Sequence, residues 1–459
     1  MSGGTGKFNQ TGAAKKQSSQ TANSPVDWGD NTGAVALGAG DAVPWIEFGN
    51  DLGIEVAEDE SVLTNVFKGG ERLTGKMVDS PVSMYTRFTL FNRWDYFNWG
   101  FQNDVVGVIC FTAVAVGGNP TPGEVYVDTA GTPNEYTFIR KEIFRDINND
   151  DVTVWVFNND DDVAAITGTV ITEQAVGTIA LTVSAESGKM YEHYFELDKY
   201  GRQFRDYTTA EQAMDDYLAG KKHNFYTFGK RFNNTDFRYD FATCNNFTLA
   251  YDTKSMSQYN SNFLAYRETR GDYNSSTWTL PTGHSDISSV PAFHQMQFFI
   301  GTTPLAMVEI DLLNLNLEVT LPLEKIQDTG SGIWLAQPIL EGQEAIRLNA
   351  TISRYNTDLY QGYRDAQTKL VAQVVETYGF YSRKIFIKRF TPTKAGPNSD
   401  SVAREELEGA VEFVPNAEDI WQAGTGFDAN NKLPTTLLNQ SPAVLVVRNK
   451  QATNIMFND

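Results

Sequence analysis

The chain has four histidines, His193, His223, His284 and His294. No two share an HxxxH or HExxH spacing, and neither Cys110 nor Cys244 stands beside them at a ligand interval, so the pattern offers no zinc site. His284, Ser285 and Asp286 set the residue types of a hydrolytic triad side by side. Neighbours in an extended chain point to opposite faces, so this is composition and not a triad. The acid clusters at 146–151 and 160–162 invite a calcium reading. Counted from Asp146, however, the sixth position is Asp151 where an EF-hand needs glycine, and the twelfth is Phe157 where it needs glutamate. Solvated hairpin tips fit these clusters better, with a looser oxygen-ligand site as the alternative. No GxxxxGKS/T loop and no strand leading into GxGxxG is present, which removes two common phosphate cradles. Among 57 acids no pair stands out for glycoside cleavage. The expectation is a protein that is not an enzyme, with no metal and no cofactor.

Basic and aromatic residues mix most densely at Lys221-Lys222-His223-Asn224-Phe225-Tyr226-Thr227-Phe228-Gly229-Lys230-Arg231-Phe232. Cations beside rings suit single-stranded nucleic acid or a glycan. The plainer reading is a strand with its rings inside and its cations matched to surplus acids, and the same two readings apply to Arg383, Lys384, Lys388 and Arg389. Before the first acid, Asp27, the chain carries Lys7, Lys15 and Lys16. With Lys221, Lys222, Lys230 and Arg231 these are the candidate contacts to nucleic acid or a neighbouring subunit. Trp94, Tyr96 and Trp99 form an aromatic cluster that suits a core, a subunit contact or ligand stacking.

These residues must be positioned by elements whose signatures are mostly those of strands. The chain has 459 residues, of which 41% are hydrophobic and 12% aromatic, too rich for disorder, and its net charge is −20, which disfavours a surface devoted to phosphate backbones. Residues 1–34 are Gly, Ser, Thr, Asn, Gln and Ala with almost no aliphatic residue, and read as a flexible polar arm. Strands are expected at Ser83 to Phe91, Val105 to Val116, Tyr136 to Phe144, Val152 to Phe157, Thr167 to Thr172, Thr178 to Ser184, Val308 to Leu323, Ala345 to Ser353, Phe380 to Phe390 and Pro442 to Val447. Gly, Pro, Asn and Asp separate them. A short helix is expected from Thr209 to Gly220, an amphipathic one from Asp358 to Thr377 with Gly379 as its stop, and a third over Asp400 to Gly409. The organisation expected is an arm at 1–34, a β-rich domain at 35–240 and a β-rich domain at 241–459 that includes the helix 358–377. The fold class is mainly β, a β-rich α+β chain with antiparallel sandwich architecture, built as one sandwich or two. No secretory signal is expected, and the longest apolar run, Val105 to Val116, is short of the ~20 residues that span a membrane as a helix. The two cysteines form no disulfide framework and read as buried hydrophobes.

A polar arm, a long strand-rich body with Asx and Gly loops, few Cys and His and no catalytic motif together resemble virus coat proteins, particularly the major capsid proteins of bacteriophages. The most specific local likeness is Leu315 to Leu323, LNLEVTLPL, followed by a polar connection and the strand Ala345 to Ser353. This looks similar to the strand order near the end of a viral jelly roll, as in double-jelly-roll coat proteins. The alternative is an HK97-type α+β coat fold, with Asp358 to Thr377 as its long helix. The resemblance implies a self-assembling homo-oligomeric shell subunit located in the virion and assembled in the host cytoplasm. Its partners would be copies of itself, other virion proteins and, through the basic arm, genomic nucleic acid. A phage tail or other virion component is the near variant. From another class comes a β-sandwich carbohydrate-binding or glycan-cleaving protein, motivated by Trp94, Tyr96, Trp99 and Trp278.

Overall fold

The computed structural model describes residues 11–16, 36–43, 47–48, 52–64, 67–86, 92–102, 106–146, 150–197, 226–232, 235–253, 255–279, 293–320, 323–324, 339–340, 345–352, 368–398, 401–411 and 442–452. Of these residues 69% lie in strands and 5% in helices, and the strands build a large antiparallel sheet. The chain is mainly β, in keeping with a sandwich-like class. In order, the elements are β1 Thr11–Lys16, β2 Ala42–Val43, β3 Glu47–Phe48, β4 Leu52–Thr64, β5 Phe67–Tyr85, α1 Asn92–Trp99, β6 Gly100–Gln102 and β7 Val106–Val116. Then come β8 Val125–Val127, β9 Glu135–Arg145, β10 Asp151–Asn159, β11 Val170–Glu173, β12 Ala180–Leu197, β13 Tyr226–Phe232, β14 Thr235–Asp252, β15 Gln258–Ala265, β16 Arg267–Gly271 and β17 Met296–Gly301. The last are β18 Val308–Glu309, β19 Leu312–Thr320, β20 Leu323–Glu324, β21 Ile339–Leu340, β22 Ala345–Ile352, β23 Leu370–Tyr378, β24 Tyr381–Asn398, β25 Ser401–Val411 and β26 Ala443–Asn449.

Three 18-residue strands, β12, β14 and β24, change partners along their length. β24 pairs with β23 and β26 in its first half and with β25 in its second. β14 pairs first with β13 and β16, then with β15 and β19. One layer therefore runs β4–β5–β15–β14–β19–β22–β25–β24, and the other β18–β17–β23–β24–β26–β12–β7–β10–β9. Leu249, Leu317 and Leu348 of the first pack in one core with Ile300, Val374, Ile385 and Leu445 of the second.

Residues 106–197 close a ring of their own, in which β7 pairs with β10, β10 with β9, β9 with β8, β8 with β11, β11 with β12 and β12 again with β7. Phe111, Phe138, Phe157, Tyr126, Tyr136 and Leu181 fill it. Strand alternation does the sorting: Ile109 and Phe111 of β7 point into this ring, and Val108 and Cys110 join a separate cluster on the other face. Closure removes the sheet edges that would otherwise stay unpaired. Asp128 ties β8 to its neighbours, accepting from Tyr136 OH at 3.0 Å, Asn134 Nδ2 at 2.8 Å and the N–H groups of Ala130, Asn134 and Thr167. Burial would raise its pKa, but those donors hold the carboxylate well below its usual range.

Several expectations are corrected. The segment 370–377 is strand β23, not the end of a helix. Leu370, Ala372 and Val374 reach the main core while Val371 joins the cluster on the opposite face, so a strand buried on both sides shows an unbroken apolar run whose three- and four-residue spacings imitate a helix. Gly379, expected as a helix stop, has φ 58° and opens the two-residue turn between the paired Tyr378 and Tyr381. The segment 401–411, expected as a short helix, is strand β25. The stretch Asn92–Trp99, next to the strand expected at 83–91, is helix α1, and β5 ends at Tyr85. A domain border at 240/241 falls inside β14, and β12 of one half pairs with β26 of the other, so the chain does not part there. Within the arm, Thr11–Lys16 is strand β1, because ladder pairing uses backbone groups and needs no apolar side chain. The helix expected at 209–220 lies outside the described residues. β19 and β22, the pair carrying the coat-protein likeness, are adjacent and antiparallel, with Leu317 opposite Leu348.

Candidate nucleic-acid or subunit interface

β1 lies between β13 and β2. Its register sets Thr11 opposite Arg231, Gly12 opposite Lys230, Lys15 opposite Thr227 and Lys16 opposite Tyr226. One ladder thus gathers four of the seven expected contact residues, Lys15, Lys16, Lys230 and Arg231. The other three, Lys7, Lys221 and Lys222, lie outside the described residues.

Alternation along β13 decides which groups can meet a partner. Tyr226 and Phe228 turn into the main core, where Phe97 meets them edge-on at 5.0 and 4.8 Å. Gly229 is required: a Cβ there would sit 2.4 Å from Leu37 Cδ1 and 2.5 Å from the Trp278 ring. Lys230 is buried, and desolvation lowers its pKa although Glu268 opposes this. Arg231 Nη1 donates to Ser275 Oγ at 2.7 Å. On β14 and β16, Arg238 and Arg267 share the buried Asp240, at 2.8 and 3.1 Å. Asp236 accepts from Ser275 Oγ at 2.7 Å and from the N–H groups of Tyr273 and Ser275. Arg238 stacks over Tyr273 at 4.8 Å and Arg270 over Phe237 at 5.3 Å. Arg270 also pairs with Glu268 at 3.0 Å, and its side chain is 63% exposed. The surface therefore presents arginine–aromatic pairs whose charges are largely matched.

Trp94 and Trp99 are buried in the core, and Trp99 Nε1 donates to Tyr259 OH at 2.9 Å. They are not a stacking platform. Tyr96 is in α1. The acid clusters cap turns. Asp146 accepts from the Asp150 N–H, Asp160 from Thr137 and Asn158, Asp161 from the Glu135 N–H, and Asp162 pairs with Lys189. Among the described residues no group of three or more His, Cys, Asp or Glu is placed to hold a metal ion. Nor is any helix among them long and apolar enough to cross a membrane.

The sequence reading missed a polar knot inside the main core. Arg383 donates to Asp95 through Nη1 at 2.7 Å and Nη2 at 2.9 Å, and its Nε reaches Glu376 at 3.3 Å. Tyr259 OH donates to Asp95 at 2.8 Å, and Ser257 Oγ and Tyr251 OH donate to Glu376 at 2.7 and 3.2 Å. Burial outweighs Arg383 at both carboxyls and pushes them above their usual range. The available signal was an Arg-Lys pair directly before the apolar run Ile385-Phe386-Ile387. The chain matches no protein-family model and no curated protein.

Proposed function

We propose that this chain is a capsid subunit, a structural protein of a virion that assembles with copies of itself around a viral genome. The observation that carries the reading is how β1 is seated. A strand of Thr, Gly, Ala and Lys is annealed along β13 by its ladder, and residues 17–41 separate it from its other neighbour, β2. Such a seat takes a segment of this sequence from whichever copy supplies it, which is the geometry of exchange between identical subunits.

In this reading the two facing layers are a jelly-roll-like coat domain and the 106–197 ring an insertion in it, and the protein resides in the virion with other virion proteins. A tail component is the near variant. The HK97-type alternative needed a helix through 358–377, of which 370–377 is strand β23. The glycan reading needed four aromatic residues, of which Trp94, Trp99 and Trp278 are buried. The test is negative-stain electron microscopy beside sedimentation velocity, on the full chain and on a chain lacking residues 1–16. Regular shells, rings or tubes that lose their size or yield on truncation are expected. A full chain that stays a small species and binds or cleaves a glycan would overturn the reading.

A further inference from the structure

The second layer does not stay flat. From β24 through β26, β12, β7 and β10 it coils until side chains of β9 touch those of β24 and β26, although among the described residues β9 shares no ladder with β24. Its concave face encloses Val108, Cys110, Phe144, Val154, Val156 and Met190. The roll is closed by charge. Arg140 Nε donates to Glu142 Oε1 at 2.8 Å, and Arg448 Nη2 donates to Glu142 Oε2 at 2.9 Å. Arg448 Nη1 reaches Glu192 Oε1 at 3.4 Å, and Arg140 Nη1 donates to Glu192 Oε2 at 3.1 Å. These four side chains alternate in sign around a closed ring and sum to zero. Lys384 Nζ, 2.5 Å from Glu142 Oε1, is a fifth member and leaves the buried group with one cation too many.

Both oxygens of Glu142 are already bonded by arginines, so the attraction left for the ammonium is set against a large desolvation cost. Burial brings the Lys384 pKa down to about 8 in spite of Glu142, with Arg140 and Arg448 adding to the fall. The other groups facing it stay fixed over the same range. Burial opposes their ionisation, yet the cations hold Glu142 and Glu192 below their usual range, and the carboxylates hold Arg140 and Arg448 above theirs. Burial also pushes Tyr194 of β12 well up and the Cys110 thiol of β7 to about 11.

We propose that Lys384 is a proton-controlled latch on this closure, holding the roll less firmly while protonated and leaving a balanced four-member ring when its proton is lost. Opening the roll returns the amine to water, where lysine titrates at 10.5. Opening then takes up a proton between about pH 8 and that value, and is suppressed as pH rises. From pH 7 to pH 9.5 the two values imply a roughly 25-fold fall in the opening equilibrium.

Cys110 lies inside the roll and reports its opening. In a Cys244→Ala background, the rate of Cys110 labelling by an aromatic disulfide would be measured for the Lys384 protein and for Lys384→Met. Dividing the first by the second removes the thiol's own pH dependence. The ratio should be well above one at pH 7 and drop about 25-fold by pH 9.5. A ratio that does not change with pH overturns the proposal. So does a Lys384→Met chain that labels faster at pH 7 or fails to fold, because Lys384 would then be a required member of the ring. Glu142→Gln, which breaks the ring itself, should label faster than either at both pH values; if it labels no faster, the ring does not close the roll.

Discussion

Replacing Arg383 by methionine puts the polar knot of the main core to a quantitative test. The side chain is fully buried and carries the one positive charge set against two carboxylates. Methionine keeps much of its volume and removes every donor. Asp95 then keeps its bond from Tyr259 and Glu376 those from Ser257 and Tyr251, but both lose the guanidinium. Breaking a buried pair by removing one partner costs about 3–5 kcal/mol, and that is the loss expected at pH 7. The two carboxyls can relieve it only by protonation, and burial already sets both above their ordinary values. A carboxyl whose folded pKa is raised adds stability below its unfolded value and loses it as pH rises through the folded one. The deficit should therefore shrink on going from pH 7 to pH 5, by about 1.4 kcal/mol per pH unit for each extra proton the variant binds. The assay is urea unfolding followed by tryptophan fluorescence, with Trp99 reporting from within the knot. A loss below about 1 kcal/mol at pH 7, or one that is the same at pH 5, would refute the reasoning.

Three further outcomes follow from single sites. His193 is buried, and desolvation lowers its pKa from 6.5 to about 4 against its hydrogen bonds to Asn449 Oδ1 and the Gln451 backbone. Its folded value is depressed, so its contribution is present above pH 6.5 and lost as pH falls through 4, by up to about 3 kcal/mol; His193→Gln should flatten that part of a melting-temperature profile. Gly117 has φ 88° and a Cβ there would lie 2.0 Å from the Thr178 carbonyl oxygen, whereas Gly123 has φ 89° with nothing within 4 Å. Gly123→Ala should cost about 1–2 kcal/mol for the left-handed backbone alone and Gly117→Ala clearly more, and equal losses in chemical denaturation would count against the stated clash. Asp128→Ala strands five donors and should cost more than about 2 kcal/mol, checked in the same way.

The strands bounded by clear turn residues were legible in the sequence. β7, β9, β10, β19, β22 and β26 lie within a few residues of their expected places because β-branched and aromatic runs bounded by Asx and Gly turns have one good local solution. β23 was not legible, since its apolar residues, buried on both faces, fall at three- and four-residue spacings that imitate a helix, and only the third dimension reveals that Val371 and Val374 serve different cores. Helix α1 was hidden for the opposite reason. Asn92–Trp99 has weak helical propensity and is held by the burial of Trp94, Phe97 and Trp99. At the candidate interface, composition singled out Lys15, Lys16, Lys230 and Arg231 but not their shared ladder, which depends on pairing across more than two hundred residues. Nor could composition separate Arg383 from Lys384. Successive residues of one strand, they face opposite sides of the sheet and serve two different charge clusters.

The closed ring of 106–197 and its rolled attachment are completed at different moments of synthesis. Every ladder of the ring joins strands made between residues 106 and 197, whereas Arg448 arrives with β26, roughly 250 residues later. At about 5–20 residues per second that interval is on the order of 10–50 s. A nascent chain therefore carries a finished ring beside an unfinished roll, with Glu142 and Glu192 lacking one of their two arginines. Cys110 should react readily on chains arrested before residue 443 and become protected on chains released past the end of β26. β26 is in this sense a timed closure, which leaves the concave face of the sheet open to chaperones until residues 443–449 have been made.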